Sequence, residues 1–293
     1  MLLGNVLEEL TKVKFTNLEK ILYPEAKINK AQVIEYYIRI APQMLRFLEN
    51  RPLVTTRFPD GINYEGFYGK NTPKGTPRWV ETFRRYSKTA KRNLDYIVCN
   101  NLDTLLWLAN LAALELHIPL AKIDAYEKPD MLFFDVDPEP PADMKDAIDV
   151  AKLLKEKLDT LSLVSYVKTS GKKGLHVVVP VVSEYSYKIT REFVHQIGKH
   201  LRKENELVVS EFSRSQEKGK VYIDYGQNSA GKTMVCPYSL RATERASVST
   251  PLDWSQLQKP LKPEAFNIFS VVELKNEPWE TYWSTHQKLE VKK

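Results

Sequence analysis

The sequence feature that most constrains the fold is the stretch 131–137, Met-Leu-Phe-Phe-Asp-Val-Asp, an apolar run that ends in two carboxylates. Side chains on a β-strand alternate between its two faces, so Asp135 and Asp137 share one face and Val136 points to the other. Two carboxylates held this close repel each other, and a divalent cation bound through oxygen ligands relieves the repulsion. Because aspartate is also common in turns, the pair alone fits an ordinary strand end equally well.

A second stretch repeats this pattern at 221–225, Val-Tyr-Ile-Asp-Tyr. On a strand, Val221 and Ile223 share one face, and Tyr222 and Asp224 share the other. A third carboxylate at a strand end would complete the donor set of a two-metal site. The alternative is again a strand followed by a turn.

Predicted strands and helices alternate along the chain without a clear domain boundary, which favours an α/β fold in a single domain. We expect helices from Asn29 to about Glu49, from Asp103 to His117, from about Ala142 to Leu158, and around an inward stripe of Ile189, Phe193, Ile197 and Leu201. We expect strands over 51–58, 62–68, 79–86, 96–99, 131–137, 163–168, 175–182, 207–209, 221–225 and 233–236. The domain would divide into residues 1–100, a core over 101–259, and a peripheral helical tail over 260–293.

Positive charge is concentrated in one segment, 66–92. It carries eight basic residues against one acidic residue, a net charge of +7, whereas the whole chain has a net charge of +6. Aromatic residues are interleaved with these charges: Phe67, Tyr68, Trp79, Phe83 and Tyr86. Cations for phosphates and flat rings for stacking on bases are typical of a surface that binds single strands or DNA ends. The alternative is a solvated basic face with ordinary core aromatics.

Composition excludes several other classes of protein. No apolar run approaches the ~20 residues of a membrane-spanning helix, and the N-terminus lacks the pattern of a signal peptide, so we expect no membrane association. Cys99 and Cys236 lie in hydrophobic segments, which favours buried free thiols in a reducing cytoplasm. Neither belongs to a CxxC pair, which argues against a thiolate zinc site.

Two glycine-bearing loops are candidates for binding phosphate. In 170–176, Ser-Gly-Lys-Lys-Gly-Leu-His, glycines allow close approach of the backbone to phosphate oxygens, and Lys172, Lys173 and His176 add donors. A plain surface hairpin is the alternative. Residues 226–233 match the P-loop pattern, but Pro237 and β-branched residues oppose the helix which that motif requires, so we reject it. Lys232 and Gln227 of this loop stay candidates for binding a nucleotide.

Taken in order, these pieces resemble the polymerase domain of ligase D-type proteins of bacterial and archaeal non-homologous end joining, in the archaeo-eukaryotic primase superfamily. The matching stretches are 17–24, 28–31, 67–70, 110–117, 134–138, 170–176, 223–225, 238–242 and 248–252. The resemblance implies a primase-polymerase fold with central β-sheets flanked by helices. The chain departs from the common pattern at 243–247, where family members often carry Gly and Pro.

The resemblance also implies roles for individual residues. The metal-binding, catalytic carboxylates would be Asp135, Asp137 and Asp224. The incoming nucleoside triphosphate would be contacted by Ser170, Lys173, His176, His117 and Arg241. The 5′-phosphate of a DNA gap or break would be held by Lys20 and Lys30, and the template by Phe67, Tyr68 and Lys70. The family's basic residue ahead of the third aspartate corresponds to either Lys218 or Lys220.

The function implied is templated addition of nucleotides to a 3′-hydroxyl at gaps and breaks, with two Mn²⁺ or Mg²⁺ ions and a preference for ribonucleotides over deoxyribonucleotides. The partners implied are 5′-phosphorylated DNA, NTP or dNTP, the end-binding protein Ku, and an ATP-dependent DNA ligase, because the sequence carries no lysine-nucleophile ligase motif. Two alternative functions remain: a non-catalytic DNA-end binding module, and a DxD phosphohydrolase with Asp135 as nucleophile and Asp137 as general acid.

Overall fold

The computed structural model describes residues 11–87, 90–211, 213, 217–258 and 261–290. The described chain forms two compact units. The first comprises residues 11–118, 235–248 and 267–273, and the second comprises 119–234, 249–266 and 274–290, apart from the gaps just given. The single-domain organisation and its three parts stay a prediction.

The first unit contains a larger antiparallel sheet, a separate two-stranded sheet of β1 and β2, and two helices. Its elements are β1 (Ile21–Tyr23), β2 (Ile28–Asn29), α1 (Lys30–Leu48), β3 (Pro52–Arg57), β4 (Phe67–Gly69), β5 (Thr82–Ser87), β6 (Arg92–Val98), α2 (Leu102–Asn110) and β7 (Ala113–Ile118). Strands β7, β3, β6 and β5 are neighbours in that order, and β4 also pairs with β3. The predicted strand over 62–68 is therefore reduced to Phe67–Gly69.

The second unit contains a six-stranded sheet with two long helices. Its elements are β8 (Met131–Pro138), α3 (Met144–Thr160), β9 (Tyr166–Thr169), β10 (Leu175–Pro180), α4 (Tyr187–Glu204), β11 (Val208–Val209), β12 (Val221–Asp224) and β14 (Pro251–Leu252). The strand order is β11–β12–β8–β10–β9–β14, and only the β11–β12 pair is parallel. The short strand β13 (Met234–Val235) belongs to the other sheet, next to β7.

Helix α1 shows how sequence-level signals specify an element. The Asn29 side chain accepts a hydrogen bond from the Gln32 backbone, and the Gln32 side chain accepts one from the Asn29 backbone, which forms a capping box. Its buried residues include Val33, Ile34 and Tyr37, which recur at helical spacing. The predicted helix from Asn29 to about Glu49 is confirmed.

The predicted helix from Asp103 to His117 is wrong in its second half. Helix α2 ends at Asn110, and Ala112 adopts a left-handed conformation with φ 55°, which turns the chain into β7. Strand β7 pairs with β3, with Val54 opposite His117. Because β7 is buried on both faces, its residues are almost continuously apolar, and such a run has no period that distinguishes a strand from a helix.

The helical structure predicted for the tail after Pro260 is also wrong. Residues 261–290 form short 3₁₀ turns rather than a helical tail. Trp279 is only 1% exposed, and its indole N–H donates to the Val167 carbonyl at 3.0 Å. Tyr282 stacks on Trp279 with ring centroids 5.3 Å apart. This part of the tail therefore contributes large aromatic rings to the core of the second unit.

The hydrophobic cluster that includes the helices of the second unit lies on one face of its sheet. Val136, Leu175 and Ile223 are buried there with the apolar stripes of α3 and α4, although Ile189, predicted to face inward, is 37% exposed. Both sheets are accompanied by helices, which confirms the α/β class. Both cysteines are buried free thiols, and none of the described helices is long and apolar enough to cross a membrane.

Candidate active site

Three predicted metal ligands come together on one face of the second unit's sheet. In the antiparallel pairing of β8 with β12, Asp135 lies opposite Asp224 and Asp137 lies opposite Tyr222. In the pairing of β8 with β10, Asp135 also lies opposite His176. Directly opposed residues share a face of the sheet. Five side chains therefore emerge on the face away from the helices: Asp135, Asp137, His176, Tyr222 and Asp224.

Asp135 and Asp137 each contact a different base. His176 Nε2 lies 3.3 Å from Asp135 Oδ1, and Lys173 Nζ lies 3.3 Å from Asp137 Oδ2. Burial and the charge of Asp135 raise the pKa of Asp137, although Lys173 opposes the shift. Burial lowers the pKa of Lys173, but Asp137 and Glu139 outweigh it, and the net pKa is raised. The carboxylate pair therefore carries uncompensated repulsion that a cation would relieve.

Asp224 is held by donors from its own turn. Its carboxylate accepts hydrogen bonds from the Gly226 backbone N–H at 2.7 Å, from Gln227 Nε2 at 3.1 Å and from the Tyr222 hydroxyl at 3.1 Å. Burial and the Asp224 charge raise the pKa of Tyr222, so this hydroxyl keeps its proton and remains a donor. Gln227, predicted to bind nucleotide, is therefore placed where it orients Asp224.

The donor set suits a hard divalent cation, since carboxylate oxygens are the ligands that Mg²⁺ and Mn²⁺ prefer. Among the described residues, however, no three His, Cys, Asp or Glu side chains converge closely enough to enclose an ion. Asp137 and Asp224 instead turn to their separate donors, Lys173 and the 224–227 turn. The strand register and the carboxylate oxygens thus fit a metal ion. To bind it, the side chains of Asp137 and Asp224 would release the ion-pair and hydrogen-bond partners that they contact now.

The predicted glycine turn between strands lies directly beside this carboxylate face. The Ser170 hydroxyl accepts the backbone N–H groups of Lys172 and Gly174 at 3.2 and 3.1 Å, which fixes the turn. Gly171 adopts φ +74°, a conformation that favours glycine. The turn carries Lys173 next to Asp137, which puts an ammonium group beside the carboxylates.

Gly174 makes the closest approach in this turn, and its substitution yields a stability prediction. A Cβ added at Gly174 would collide with the Val136 carbonyl oxygen of β8. We expect Gly174→Ala to lower the free energy of unfolding by about 1–3 kcal/mol because backbone atoms must shift. Gly69→Ala is the control, since a Cβ there meets nothing nearer than 3.8 Å. Thermal unfolding of both variants is the measurement, and an unchanged Tm for Gly174→Ala would contradict the prediction.

His117 and Arg241 meet at a buried glutamate within the first unit. Arg241 Nε donates to Glu115 Oε1 at 3.1 Å, and His117 Nε2 lies 3.4 Å from Glu115 Oε2. The Ala242 backbone N–H also donates to Glu115. Sequence reasoning missed Glu115 because it treated this run as a helix. The signal was present, since residues two apart, such as Glu115 and His117, share a face on a strand.

Lys20 and Lys30 also come together in the first unit. The Lys30 backbone N–H donates to the Lys20 carbonyl at 2.9 Å. Lys20 Nζ contacts Asp60 Oδ1 at 2.7 Å, and the buried Lys30 Nζ donates to the Thr16 carbonyl at 2.9 Å. Burial and the neighbouring charge of Lys20 lower the pKa of Lys30. Two like charges held this close form an arrangement that a bound phosphate would stabilise.

Three of the five aromatic rings in the basic segment, Phe67, Tyr68 and Tyr86, are exposed to solvent, whereas Trp79 and Phe83 are partly buried. Phe67 and Tyr68 on β4 are 57% and 61% exposed, which is unusual for large apolar side chains. Lys70 lines a 520 Å³ depression together with Tyr68 and Arg92. Lys88 of this segment lies outside the described residues. The exposure favours a binding surface over the alternative of ordinary core aromatics.

The 226–233 loop does not have P-loop structure. It begins with a 3₁₀ turn, Tyr225–Gln227, and continues into the short strand β13 rather than a helix, as the rejection of that motif predicted. The Lys232 side chain is exposed. Asn228 is fully buried, and its side chain pairs with both backbone groups of Phe133, which ties this loop to β8. Lys218 and Lys220 are the two candidates for the family's basic residue ahead of Asp224. The Lys220 side chain donates a hydrogen bond to the Glu206 carbonyl at 2.9 Å.

Comparison with known protein families identifies the class of this chain as a primase-polymerase domain, a DNA-directed nucleotidyltransferase. The family model described as "LigD, primase-polymerase domain" matches residues 29–282, and the chain belongs to that family. This confirms the resemblance found in the ordered motifs. Members of this family depend on a metal ion.

Individual relatives agree with this assignment. The chain is 36% identical over 264 residues to the bifunctional non-homologous end joining protein LigD of Bacillus subtilis, covering 89% of this chain and 42% of that protein. It is 33% identical over 258 residues to the multifunctional LigD of Mycolicibacterium smegmatis, covering 87% of this chain and 34% of that protein. The chain thus spans less than half the length of these relatives.

A solved structure has the same fold. The polymerase domain from Mycobacterium tuberculosis Ligase D, in complex with DNA, superimposes with a TM-score of 0.83 at 28% identity. The match covers 89% of this chain and 93% of that domain. The predicted primase-polymerase fold, with sheets flanked by helices, is confirmed.

Proposed function

We propose that this chain extends the 3′-hydroxyl of a DNA strand at short gaps and breaks, as a polymerase of non-homologous end joining in the bacterial cytoplasm. The observation that carries the proposal is the register of β8, β10 and β12, which aligns three carboxylates and His176 on one face. A DNA-end binding module has no need of this arrangement. Membership of the LigD primase-polymerase family and the relatives' role in end joining support the same function.

The second unit would hold the metal and the triphosphate. Asp135, Asp137 and Asp224 would bind two Mn²⁺ or Mg²⁺ ions, which supply charge neutralisation at the departing pyrophosphate and a lower pKa for the attacking hydroxyl. Lys173 would move from Asp137 to the phosphates, and His176 would donate from Nε2 to the nucleotide. The protein contributes mainly positioning and charge. The roles implied for Ser170, His117, Arg241, Lys232 and Gln227 stay predictions.

DNA would be bound by the first unit. Lys20 and Lys30 would hold the 5′-phosphate across the gap, while Phe67 and Tyr68 would stack on template bases and Lys70 would contact the backbone. A strand-joining step requires an ATP-dependent ligase, and we propose that one acts with this polymerase, fused or separate, together with Ku. The relatives of which this chain spans less than half are named bifunctional or multifunctional, which fits a fused ligase.

A primer-extension assay tests this function against its rivals. The protein is incubated with Mn²⁺, a labelled NTP or dNTP, and a gapped duplex that carries a 5′-phosphate. A polymerase lengthens the primer by the templated nucleotide, and comparing NTP with dNTP measures the preference for ribonucleotides. A binding module retards the DNA without extending it, and a DxD phosphohydrolase releases phosphate instead, so either result without extension contradicts the proposal.

Stacking by the exposed rings of β4 gives a separate prediction. We expect Phe67→Ala and Tyr68→Ala each to weaken binding of an unpaired template strand by about tenfold, because stacking on one base contributes about 1–3 kcal/mol. Both side chains are more than half exposed, so thermal stability should hardly change. Fluorescence anisotropy with overhang DNA measures the affinity. Tyr64→Ala, at another exposed ring, is the control, and equal losses at all three positions would contradict a specific stacking role.

A further inference from the structure

A buried lysine, Lys168, lies in the same cross-strand row as the candidate active site. Strand pairing sets Lys168 on β9 opposite His176 on β10, and His176 opposite Asp135 on β8, which is opposite Asp224 on β12. The row thus runs across four strands and ends in two carboxylates. Lys168 is 0% exposed, and no role for it follows from the ordered motifs or from the family match.

Hydrogen bonds from this lysine lead directly to His176. Lys168 Nζ lies 2.8 Å from His176 Nδ1 and 2.5 Å from the Ser249 hydroxyl. The Ser249 hydroxyl donates to the Thr169 carbonyl at 2.8 Å, so it accepts from Lys168. On the far side of the ring, His176 Nε2 lies 3.3 Å from Asp135 Oδ1. The order of contacts is therefore serine, lysine, histidine and aspartate.

The charge of Lys168 determines the direction of these hydrogen bonds. A buried ammonium group requires hydrogen-bond acceptors, and Ser249 Oγ and His176 Nδ1 lie within hydrogen-bond distance of Lys168 Nζ. An ammonium group has donors only, so His176 Nδ1 accepts from it and the ring proton resides on Nε2, facing Asp135. The ring is also fixed by Phe133, which packs edge-on with centroids 4.9 Å apart.

We propose that Lys168 is a positioning residue that fixes the tautomer and orientation of His176, so that its Nε2–H faces the carboxylate cluster and the nucleotide. The proposal rests on the proposed function only for its kinetic consequence, since the tautomer is a property of the protein itself. For histidines that ligate a metal, removing the hydrogen-bond partner behind the ring typically costs about 10- to 100-fold in metal affinity or activity, and we expect a loss of similar size here. Lys168 would act through His176 and touch no substrate.

The first test is the tautomer of His176 in the variant Lys168→Met, which keeps the chain length and removes the donor. Side-chain ¹⁵N chemical shifts of the full chain, recorded with Mg²⁺ and without nucleotide, should report Nε2–H in the wild type and a mixture of tautomers in Lys168→Met. Lys145→Met, at an exposed lysine of the same unit, is the matched control and should leave the spectrum unchanged. An unchanged His176 spectrum in folded Lys168→Met would overturn the proposal.

The second test is kinetic and uses a double-mutant cycle. Lys168→Met should raise KM for the nucleotide by about tenfold or more with a smaller change in kcat, and the effect should vanish in a His176→Ala background. An undiminished effect in that background would show that Lys168 acts otherwise than through His176. Lys168→Gln retains a donor without the charge, so it should restore the tautomer in part, and it replaces Lys168→Met if that variant fails to fold.

The two tests distinguish a failure of the positioning role of Lys168 from a failure of the proposed polymerase activity. If the wild type extends no primer while its ¹⁵N spectrum shows the Nε2–H tautomer and Lys168→Met loses it, the proposed polymerase activity fails and the positioning role stands. If the wild type extends primers and neither spectrum nor KM changes in Lys168→Met, the positioning role fails alone.

Discussion

Asp137→Ala is expected to abolish primer extension, with a loss of about a thousandfold or more, while leaving DNA binding intact. Metal-assisted charge stabilisation contributes several kcal/mol to such a reaction, and each 1.36 kcal/mol corresponds to a factor of ten. DNA affinity should not change because the predicted DNA contacts lie in the first unit. Extension of a gapped duplex and gel retardation of the same duplex are the two measurements.

The same variant should be at least as stable as the wild type. Burial and Asp135 raise the pKa of Asp137, so the folded state holds this proton more tightly than the unfolded chain does, and the ionised carboxylate destabilises the fold above its usual pKa. Removing it therefore relieves repulsion at neutral pH, although Lys173 loses a partner. A gain in Tm with a loss of activity is the pattern of a functional residue.

The control for Asp137→Ala is Asp149→Ala, an exposed aspartate on α3 of the same unit. It should retain full extension. If Asp137→Ala still extends the primer, the metal-site assignment is wrong. If both variants lose extension together, the loss reflects a general change of charge in this unit rather than a metal ligand.

Much of the second unit's site was predictable from local pattern. The period of two along β8 places Asp135 and Asp137 together on any strand, and the same argument places Asp224 on the face opposite Ile223. What the pattern of one strand cannot give is which strands are neighbours. The pairing of β8 with both β10 and β12 is long-range, and it alone brings His176 and Asp224 to Asp135.

Residues that sequence reasoning missed share one property, which is a charged or polar group inside a buried strand or turn. Glu115, Lys168 and Asn228 are each nearly or fully buried, and each has a hydrogen-bond partner far away in sequence. A charge in an apolar run signals such a partner, because an unpaired buried charge is costly, but it does not say which residue the partner is. Only the fold supplies that information.

Loss of discrimination for a 5′-phosphate is the expected result of combining Lys20→Ala with Lys30→Met. Methionine retains most of the volume of the buried Lys30, whereas Lys20 is partly exposed and tolerates truncation. Hydrogen bonds to charged groups contribute about 1.5–3 kcal/mol each, so losing both should reduce the preference for phosphorylated gaps by about 100-fold or more. Affinity for paired substrates with and without the 5′-phosphate measures the preference directly.

Lys27→Gln is the matched control because this exposed lysine lies in the turn between β1 and β2, whereas Lys20 and Lys30 directly flank that pair of strands. It should weaken binding to both substrates slightly and equally, through general electrostatics. Equal losses on both substrates in the double variant would assign Lys20 and Lys30 to the same nonspecific attraction. A wild type that binds both substrates equally would contradict the site itself, whereas selective loss on the phosphorylated gap would place the 5′-phosphate between these two ammonium groups.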